Sequence, residues 1–273
     1  MTQNMKSYGI TNQIEFSNKI DFHVENIKIK GFSIEKNVLD STFCDKLNQK
    51  LETIYQRQEE EFGKENLAAL DELDMVRMPF LEDELFFELF TNELSLELAE
   101  RILGKAFQLH LQNGVINRPQ KEHHQTSWHR DLPYQDWTSS KSLGFNAFYC
   151  LTDFTITNGA TFVLPYSHRL DYFPSSEFVK ENQIQITAPK GSVLFFDSML
   201  YHRAGINSSD AVRYGINTMF VVPIIKQQVD IASQFEGKSL SPKLKELLGV
   251  TYQVPTNVKD FRERRLNKIT LHK

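Results

Sequence analysis

The chain has 273 residues, of which 40% are hydrophobic and 24% are charged, and its formal net charge is −4. These values are typical of a globular domain large enough to enclose a buried site, and they argue against nucleic acid as the main partner. Two cysteines without paired spacing, and the lack of a signal-like or membrane-length apolar run, predict a cytoplasmic protein with no membrane partner.

The first third of the chain is predicted to be mainly helical after a short extended start. Apolar residues recur at helical spacing over residues 43–55, and Asp40 or Ser41 can cap this helix. A second helix is predicted over residues 94–103, with Gly104 placed to end it. The acidic stretch between the two predicts a solvated helix or loop.

From Phe107 onward the pattern changes to short apolar runs separated by Gly, Pro and Asn-Gly turns. Beyond residue 107, these runs predict strands over residues 141–151, 159–165, 182–187, 191–198 and 213–223. Near the end of the chain, Ser241 and Pro242 can begin a short helix that Gly249 ends.

The order of these elements predicts a mainly β fold with α-helices. Helices packed on an antiparallel double sheet indicate a double-stranded β-helix, that is, a cupin-like jelly roll with supporting N-terminal helices and a C-terminal helix. We expect a single domain with helical support over residues 1–105, a jelly-roll core over 106–225 and a helical extension over 226–273.

Two histidines and one aspartate have the spacing of a metal site. His129 and Asp131 lie two residues apart, so both side chains point the same way in an extended strand. His202 follows a strand-like apolar run that can deliver it to the same place. Two imidazoles and a carboxylate are the facial ligand set of non-haem Fe(II) oxygenases. Arg213, eleven residues after His202, offers a fork for the distal carboxylate of an oxo-acid.

Four segments in this order resemble the phytanoyl-CoA dioxygenase-like (PhyH) family of Fe(II)/2-oxoglutarate-dependent oxygenases. They are SWHRDLPYQDW with the His-x-Asp pair, NGATFVLPYSHR, APKGSVLFFDSMLYHRAG with the distal histidine, and the arginine that follows it. The resemblance covers residues 30–223 and begins with the family-like opening GFSIEKNVLDSTFCDKLNQKL. A lone His-x-Asp pair arises by chance in many proteins, whereas four segments with matching spacing are specific.

The resemblance implies roles for the candidate site residues. His129, Asp131 and His202 are expected to bind Fe(II), which reacts with O2, and Arg213 is expected to bind the cosubstrate 2-oxoglutarate. The presence of Asp131 favours hydroxylation over halogenation, since related halogenases lack this carboxylate.

Further residues are expected beside the cosubstrate. Asn146 and Phe148 share one face of a predicted strand and are placed to line the cavity, although core packing explains Phe148 equally well. Ala204 follows the distal histidine where the family often has a serine, so the expected hydroxyl is missing. Tyr166 replaces the usual small residue of the Pro-x-Ser-His element and is expected to alter the pocket rim.

The residues that contact substrate are less well marked. Tyr134 and Trp137, just beyond the metal pair, are candidate substrate contacts, and Arg77 is a candidate partner for an anionic group. Packing within a loop, or a surface position, explains these residues as well. His123 and His124 are rejected as metal ligands because adjacent side chains of an extended chain point to opposite sides.

The resulting hypothesis is a 2-oxoglutarate-dependent hydroxylase that oxidises an unactivated C–H bond of a small or medium-sized metabolite and releases succinate and CO2. A cupin-type isomerase or hydrolase that uses a metal without an oxo-acid is the alternative enzyme, and a binding module with a vestigial site is a third possibility. The substrate and the oligomeric state stay open.

Overall fold

The molecule is built on two antiparallel β-sheets flanked by helices. A computed structural model describes residues 8–10, 18–120, 123–132 and 135–271. Within these residues, nine strands form a six-stranded major sheet and a three-stranded minor sheet. The predicted mainly β fold with helices, a jelly roll, is therefore confirmed.

The strands pair antiparallel throughout both sheets. In chain order they are β1 (Phe32–Glu35), β2 (Met75–Arg77), β3 (Gln108–Asn117), β4 (Gly144–Cys150), β5 (Phe162–Val163), β6 (Ile184–Gln185), β7 (Val193–Asp197), β8 (His202–Arg203) and β9 (Arg213–Val221). The major sheet has the order β1-β7-β4-β9-β3-β2, and the minor sheet has the order β6-β5-β8. Strands β4 and β9 thus lie side by side at the centre of the major sheet.

The helices of the described residues lie mostly before the first long strand and after the last. They are α1 (Lys19–Lys30), α2 (Ser41–Phe62), α3 (Lys64–Ala69), α4 (Phe87–Phe90), α5 (Glu93–Leu103), α6 (Ser176–Asn182), α7 (Pro242–Leu247) and α8 (Val258–Leu271). The predicted helices at α2, α5 and α7 are confirmed, including their caps at Asp40, Gly104 and Ser241. The acidic stretch forms the end of α2 and the short α3.

The short extended start expected before the first long helix corresponds only to strand β1, because residues 19–30 form helix α1. Asn18 caps this helix through its side-chain oxygen, and Gly31 ends it with a φ of 92°. The buried His23 places its Nδ1 2.8 Å from the Ser33 hydroxyl. Contacts of this kind with later residues hold the helix, and they cannot be read from its short apolar pattern.

The predicted strands of the core are confirmed, but two of them are much shorter than their apolar runs. Strands β5 and β6 contain two residues each, because Asn182 belongs to helix α6 and most of the other residues of these runs have no regular secondary structure. The edge strands β1 and β2 are too short to give an alternating sequence pattern, so no strand bounds were predicted for either of them.

The two largest of three apolar clusters among the described residues hold the layers together. The larger one lies between the N-terminal helices and the major sheet. The smaller one includes Phe148, Phe154 and Phe196 and fills part of the space between the two sheets. None of the described helices is both long and apolar enough to cross a lipid bilayer.

Candidate active site

His129 and His202 meet across a pair of backbone hydrogen bonds. Each N–H donates to the carbonyl of the other at 3.0 Å, and the ring centroids are 4.4 Å apart. His129 Nδ1 lies 2.8 Å from the Ser127 carbonyl, and His202 Nδ1 lies 3.0 Å from the Leu200 carbonyl. Because a carbonyl can only accept, each Nδ1 carries the proton and each Nε2 presents a lone pair.

Asp131 completes a group that fits a divalent metal ion. Its Oδ1 is 3.4 Å from His202 Nε2 and 3.7 Å from His129 Nε2. One potential ligand atom from each residue lies within 4.8 Å of the other two. His129 Nε2 is buried and has no hydrogen-bond partner among the described residues. An unsatisfied lone pair beside a carboxylate is costly unless a cation binds there.

Local charges favour an ionised aspartate in this group. Burial, and to a smaller extent the neighbouring His202, lowers the pKa of His129 to about 4. Burial opposes ionisation of Asp131, yet the two histidines outweigh it and hold the pKa of this carboxyl well below its usual range. Burial also disfavours a charged His202, but Asp131 overcomes it and raises the pKa of His202. A metal ion that binds here therefore competes with a proton on His202.

One cavity is lined both by the two histidines and by Arg213, the first residue of β9. The Arg213 side chain is fully buried, and its guanidinium carbon lies 4.6 Å from the centre of the Phe154 ring. None of its three guanidinium nitrogens has a hydrogen-bond partner among the described residues. Burial lowers the pKa of Arg213 to about 10, so it stays charged at neutral pH. A buried, unpaired cation of this kind requires an anionic partner.

The cavity wall includes two of the expected cosubstrate residues. Phe148 and Ala204 both line it, and the Ala204 N–H donates to the Gln125 carbonyl at 2.6 Å. Thr161 and Gln125 also line the cavity and were not identified from the sequence. Thr161 lies within a segment that carried the family resemblance, so its position was a usable signal. Its buried hydroxyl shares the cavity in which Ala204 offers none.

Asn146 donates a hydrogen bond to Asp131 and is not among the residues that line the cavity, so its contact with the cosubstrate stays a prediction. Its side chain is fully buried, and both amide hydrogens and the amide oxygen are used within the protein. Asn217, which the sequence analysis missed, donates to the same Asp131 carboxylate at 2.8 Å. A lone asparagine in an apolar strand carries no spacing signal that could have found it.

The candidate substrate residues lie outside the cavity wall or outside the described residues. Arg77 forms an ion pair with Glu72, with an Nη2–Oε1 distance of 2.5 Å. Trp137 is 47% exposed, and its carbonyl accepts a hydrogen bond from Arg130. Tyr134 lies outside the residues that the structure describes. A substrate role for these residues stays a prediction.

His123 and His124 do not point to opposite sides, as the sequence analysis assumed. A short 3-10 turn beginning at His124 brings their rings into a stack with centroids 4.6 Å apart. His124 Nε2 lies 2.7 Å from Gln125 Nε2, at the cavity wall. The assumption failed because it treated this segment as extended.

Arg130 lies between His129 and Asp131 in the chain, and its side chain forms hydrogen bonds to backbone carbonyls around the site. Its buried guanidinium donates to the carbonyls of Met199, Trp137 and Ser167, among others, and lies 4.0 Å from the Tyr201 ring centre. These bonds fasten the segments on both sides of the histidine pair. The residue was not noticed in the sequence because its role depends on backbone carbonyls.

A jelly roll that brings two histidines and one carboxylate to one end of a cavity is typical of mononuclear non-haem iron enzymes. The sequence model of the phytanoyl-CoA dioxygenase (PhyH) family matches residues 28–215, more than half of the chain. The chain therefore belongs to this family of Fe(II)/2-oxoglutarate-dependent oxygenases, as the four sequence segments indicate.

Individual proteins give a consistent result. An uncharacterized protein of Mycobacterium tuberculosis is 28% identical over 91% of this chain and 93% of its own length. Human peroxisomal phytanoyl-CoA dioxygenase is 23% identical over 88% of this chain and 82% of its own. The crystal structure of SnoN, a non-heme alpha ketoglutarate dependent epimerase from nogalamycin biosynthesis, superposes with a TM-score of 0.57. That match has 18% identity and covers 82% of this chain and 92% of SnoN, so it shows a shared fold.

Proposed function

We propose that the protein is an Fe(II)- and 2-oxoglutarate-dependent dioxygenase that hydroxylates an unactivated C–H bond of a small or medium-sized metabolite. The observation that carries this proposal is the buried guanidinium of Arg213. It opens into the same cavity as His129 and His202 and has no hydrogen-bond partner among the described residues. A diacid with a keto-acid end can reach both the charge and the candidate metal ligands.

Each residue of the site has a defined task in this proposal. His129 Nε2, His202 Nε2 and Asp131 Oδ1 would hold the iron, and the backbone carbonyls at their Nδ1 atoms keep both rings in the ligating tautomer. Bound iron would supply the oxidation, in which O2 and 2-oxoglutarate convert R–H into R–OH with release of succinate and CO2. Arg213 would bind the distal carboxylate through two parallel hydrogen bonds.

The cavity wall would orient the cosubstrate and exclude water. Phe148 and Phe196 present apolar rings to the cavity, which strengthens the attraction between Arg213 and a carboxylate. Thr161 lines the same cavity as Ala204 and would supply a hydroxyl group, which Ala204 lacks.

One consideration favours hydroxylation over halogenation, and another favours a small-molecule substrate. Asp131 occupies the carboxylate position, which leaves no vacant ligand site for chloride. SnoN, which shares the fold, has been determined with Fe3+, alpha ketoglutarate and nogalamycin RO, and it is described as an epimerase. Oxidation and epimerisation can begin from the same cofactor set, so the test must separate them. An isomerase or hydrolase that needs no oxo-acid would leave Arg213 without a partner.

The first test is anaerobic binding of Fe(II) and 2-oxoglutarate to the purified protein. We expect the visible charge-transfer absorption of an Fe(II)–oxo-acid chelate, which requires both components. The control is Arg101→Lys, because Arg101 pairs with Asp21 on α1 and does not line the cavity. If iron binds without any such absorption when 2-oxoglutarate is added, the cosubstrate assignment is wrong.

The second test is turnover with a metabolite library under 18O2. Hydroxylation places one 18O atom in the product and one in succinate. A product that forms together with succinate but has the mass of its substrate would indicate epimerisation instead. Product formation without succinate would exclude the oxo-acid mechanism and support the alternative enzyme class.

A further inference from the structure

Two asparagines of the major sheet donate hydrogen bonds to one oxygen of Asp131. Asp131 Oδ2 accepts hydrogen bonds from Asn146 Nδ2 at 2.5 Å and Asn217 Nδ2 at 2.8 Å. The Asn146 oxygen in turn accepts from the Ser198 hydroxyl at 2.5 Å, and the Ser198 carbonyl accepts from the Asp131 N–H at 3.2 Å. The Asp131 carboxylate is thus held by strands β4 and β9, and the Asp131 backbone is held by Ser198, the residue that follows β7.

The direction of every hydrogen bond in this network is fixed. Asn146 Nδ2 uses its second hydrogen on the Asn217 oxygen at 2.8 Å, so Asn217 must turn its nitrogen toward Asp131. An ionised carboxylate can only accept, so Asn146 must also turn its nitrogen toward Asp131, which leaves its oxygen for the Ser198 hydroxyl. Rotating either amide by half a turn would place its oxygen against Asp131 Oδ2, an acceptor facing an acceptor.

The strand register explains why both amides reach the same atom. Asn146 pairs with Met219 across β4 and β9, and Phe148 pairs with Asn217. The two asparagines are therefore diagonal neighbours on one face of adjacent strands, a separation that side chains can bridge. The position of the carboxylate is set by the central strands of the sheet.

The consequence is a difference between the two oxygens of Asp131. An ionised carboxylate has about four acceptor positions, two on each oxygen, so two amide donors satisfy Oδ2. Oδ1, which faces His129 and His202, keeps its lone pairs. Only one oxygen is free to bind a cation.

We propose that Asn146 and Asn217 are positioning residues that hold Asp131 as a one-oxygen metal ligand. By occupying Oδ2, the amides prevent the carboxylate from chelating the ion through both oxygens. A second bound oxygen would fill a position that the oxo-acid needs. This inference rests on the proposed function, and it predicts that loss of an amide weakens both metal binding and cosubstrate binding.

The test uses Asn217→Leu and Asn146→Leu, which keep side-chain size and remove the donors. Co(II) titration measures metal affinity, the Co(II) visible spectrum reports the coordination number, and anaerobic titration measures 2-oxoglutarate affinity. We expect Co(II) to bind about 10- to 100-fold more weakly, the usual cost of losing a hydrogen bond that supports a ligand. We also expect an altered spectrum and a weaker affinity for 2-oxoglutarate at saturating metal.

The matched control is Asn48→Leu, which removes a hydrogen bond to the Leu151 carbonyl from helix α2. It should leave the Co(II) spectrum and affinity unchanged. If a leucine variant fails to fold, Asn217→Ser decides by the same readouts, because Asn217 borders the cavity and a smaller residue is tolerated there.

The possible failures are distinguishable. A folded variant with the wild-type spectrum and affinities overturns the role of the amides and leaves the proposed function intact. Wild-type protein that binds no Co(II) overturns the proposed metal site itself, and the positioning role with it.

Discussion

At the scale of single residues, Arg213 is the buried charge of the site that most requires a ligand, because its guanidinium has no hydrogen-bond partner among the described residues. Arg213→Lys keeps the charge but loses the planar fork, so we expect the KM for 2-oxoglutarate to rise about 10- to 100-fold, the equivalent of a charged hydrogen bond. Metal affinity should not change. Steady-state succinate release checks the first expectation, and Co(II) titration checks the second. An unchanged KM would show that the cosubstrate does not contact this guanidinium.

Asp131 should not tolerate even its amide counterpart. In Asp131→Asn, the new NH2 group must face either the donors of Asn146 and Asn217 or the metal, and each orientation loses one set of contacts. We expect metal affinity to fall by more than about 100-fold, beyond the cost of losing a supporting hydrogen bond. Calorimetric titration with Mn(II) measures this, with the exposed Asp136→Asn as the control. Wild-type affinity in Asp131→Asn would contradict the assigned geometry.

The sequence predicted the residues whose spacing is characteristic and missed those whose role depends on the fold. His129, Asp131 and His202 stand in a recognisable order, and the structure brings them together. Asn217 and Arg130 have ordinary neighbours in sequence, and only strand register or backbone carbonyls give them a role. Asn146 was predicted to share a strand face with Phe148, and in the structure its side chain donates a hydrogen bond to the Asp131 carboxylate.

At the scale of elements, the minor sheet is too small to be held by backbone pairing alone. Its strands contain two residues each, yet β8 carries His202. On its outer side, the Arg203 guanidinium lies 4.0 Å from the Phe162 ring centre and 5.3 Å from that of Trp128. It also donates to the Gln183 side chain at 3.2 Å. This stack joins β5, β8 and the segment that precedes His129.

Arg203→Met should therefore loosen the pair of strands that holds the histidines. The loss of the cation–π contacts predicts a decrease of about 0.5–2 kcal/mol in the free energy of unfolding. Denaturant titration measures this, and a few-fold weaker Co(II) affinity should accompany it. Arg262→Met, on the exposed face of α8, is the matched control. Wild-type stability in Arg203→Met would show that the stack has no structural role.

The same scale explains which elements the sequence could predict. Long amphipathic helices such as α2, and apolar central strands such as β4 and β9, carry their own periodicity. Helix α1 and edge strand β1 do not, because their stability comes from contacts such as that between His23 and Ser33. Local sequence pattern therefore predicted the central strands and long helices, whereas helix α1 and edge strand β1 depend on tertiary contacts.

At the scale of the whole molecule, folding buries charges that only ligands can balance. The Arg213 guanidinium has no hydrogen-bond partner among the described residues, and Asp131 faces two histidines across the candidate metal position. A ligand that binds only the native state stabilises it. At a free concentration of one hundred times its Kd, it adds about 2.7 kcal/mol to the free energy of unfolding, which raises Tm by roughly 5–10 °C for a chain of this size. Anaerobic thermal unfolding with Mn(II) measures this effect.

The two ligands should stabilise the fold in a fixed order. We expect 2-oxoglutarate alone to raise Tm little, because its keto-acid end lacks a metal ion, and to raise it further once Mn(II) is present. Glutarate, which has both carboxylates but no keto group, should add less than 2-oxoglutarate in the presence of Mn(II). In Arg213→Lys the Mn(II) increment should persist while the 2-oxoglutarate increment shrinks. Equal Tm increments from the two diacids would mean that the keto group does not chelate the ion. The proposal that one diacid binds both the metal ion and Arg213 in this cavity would then be wrong.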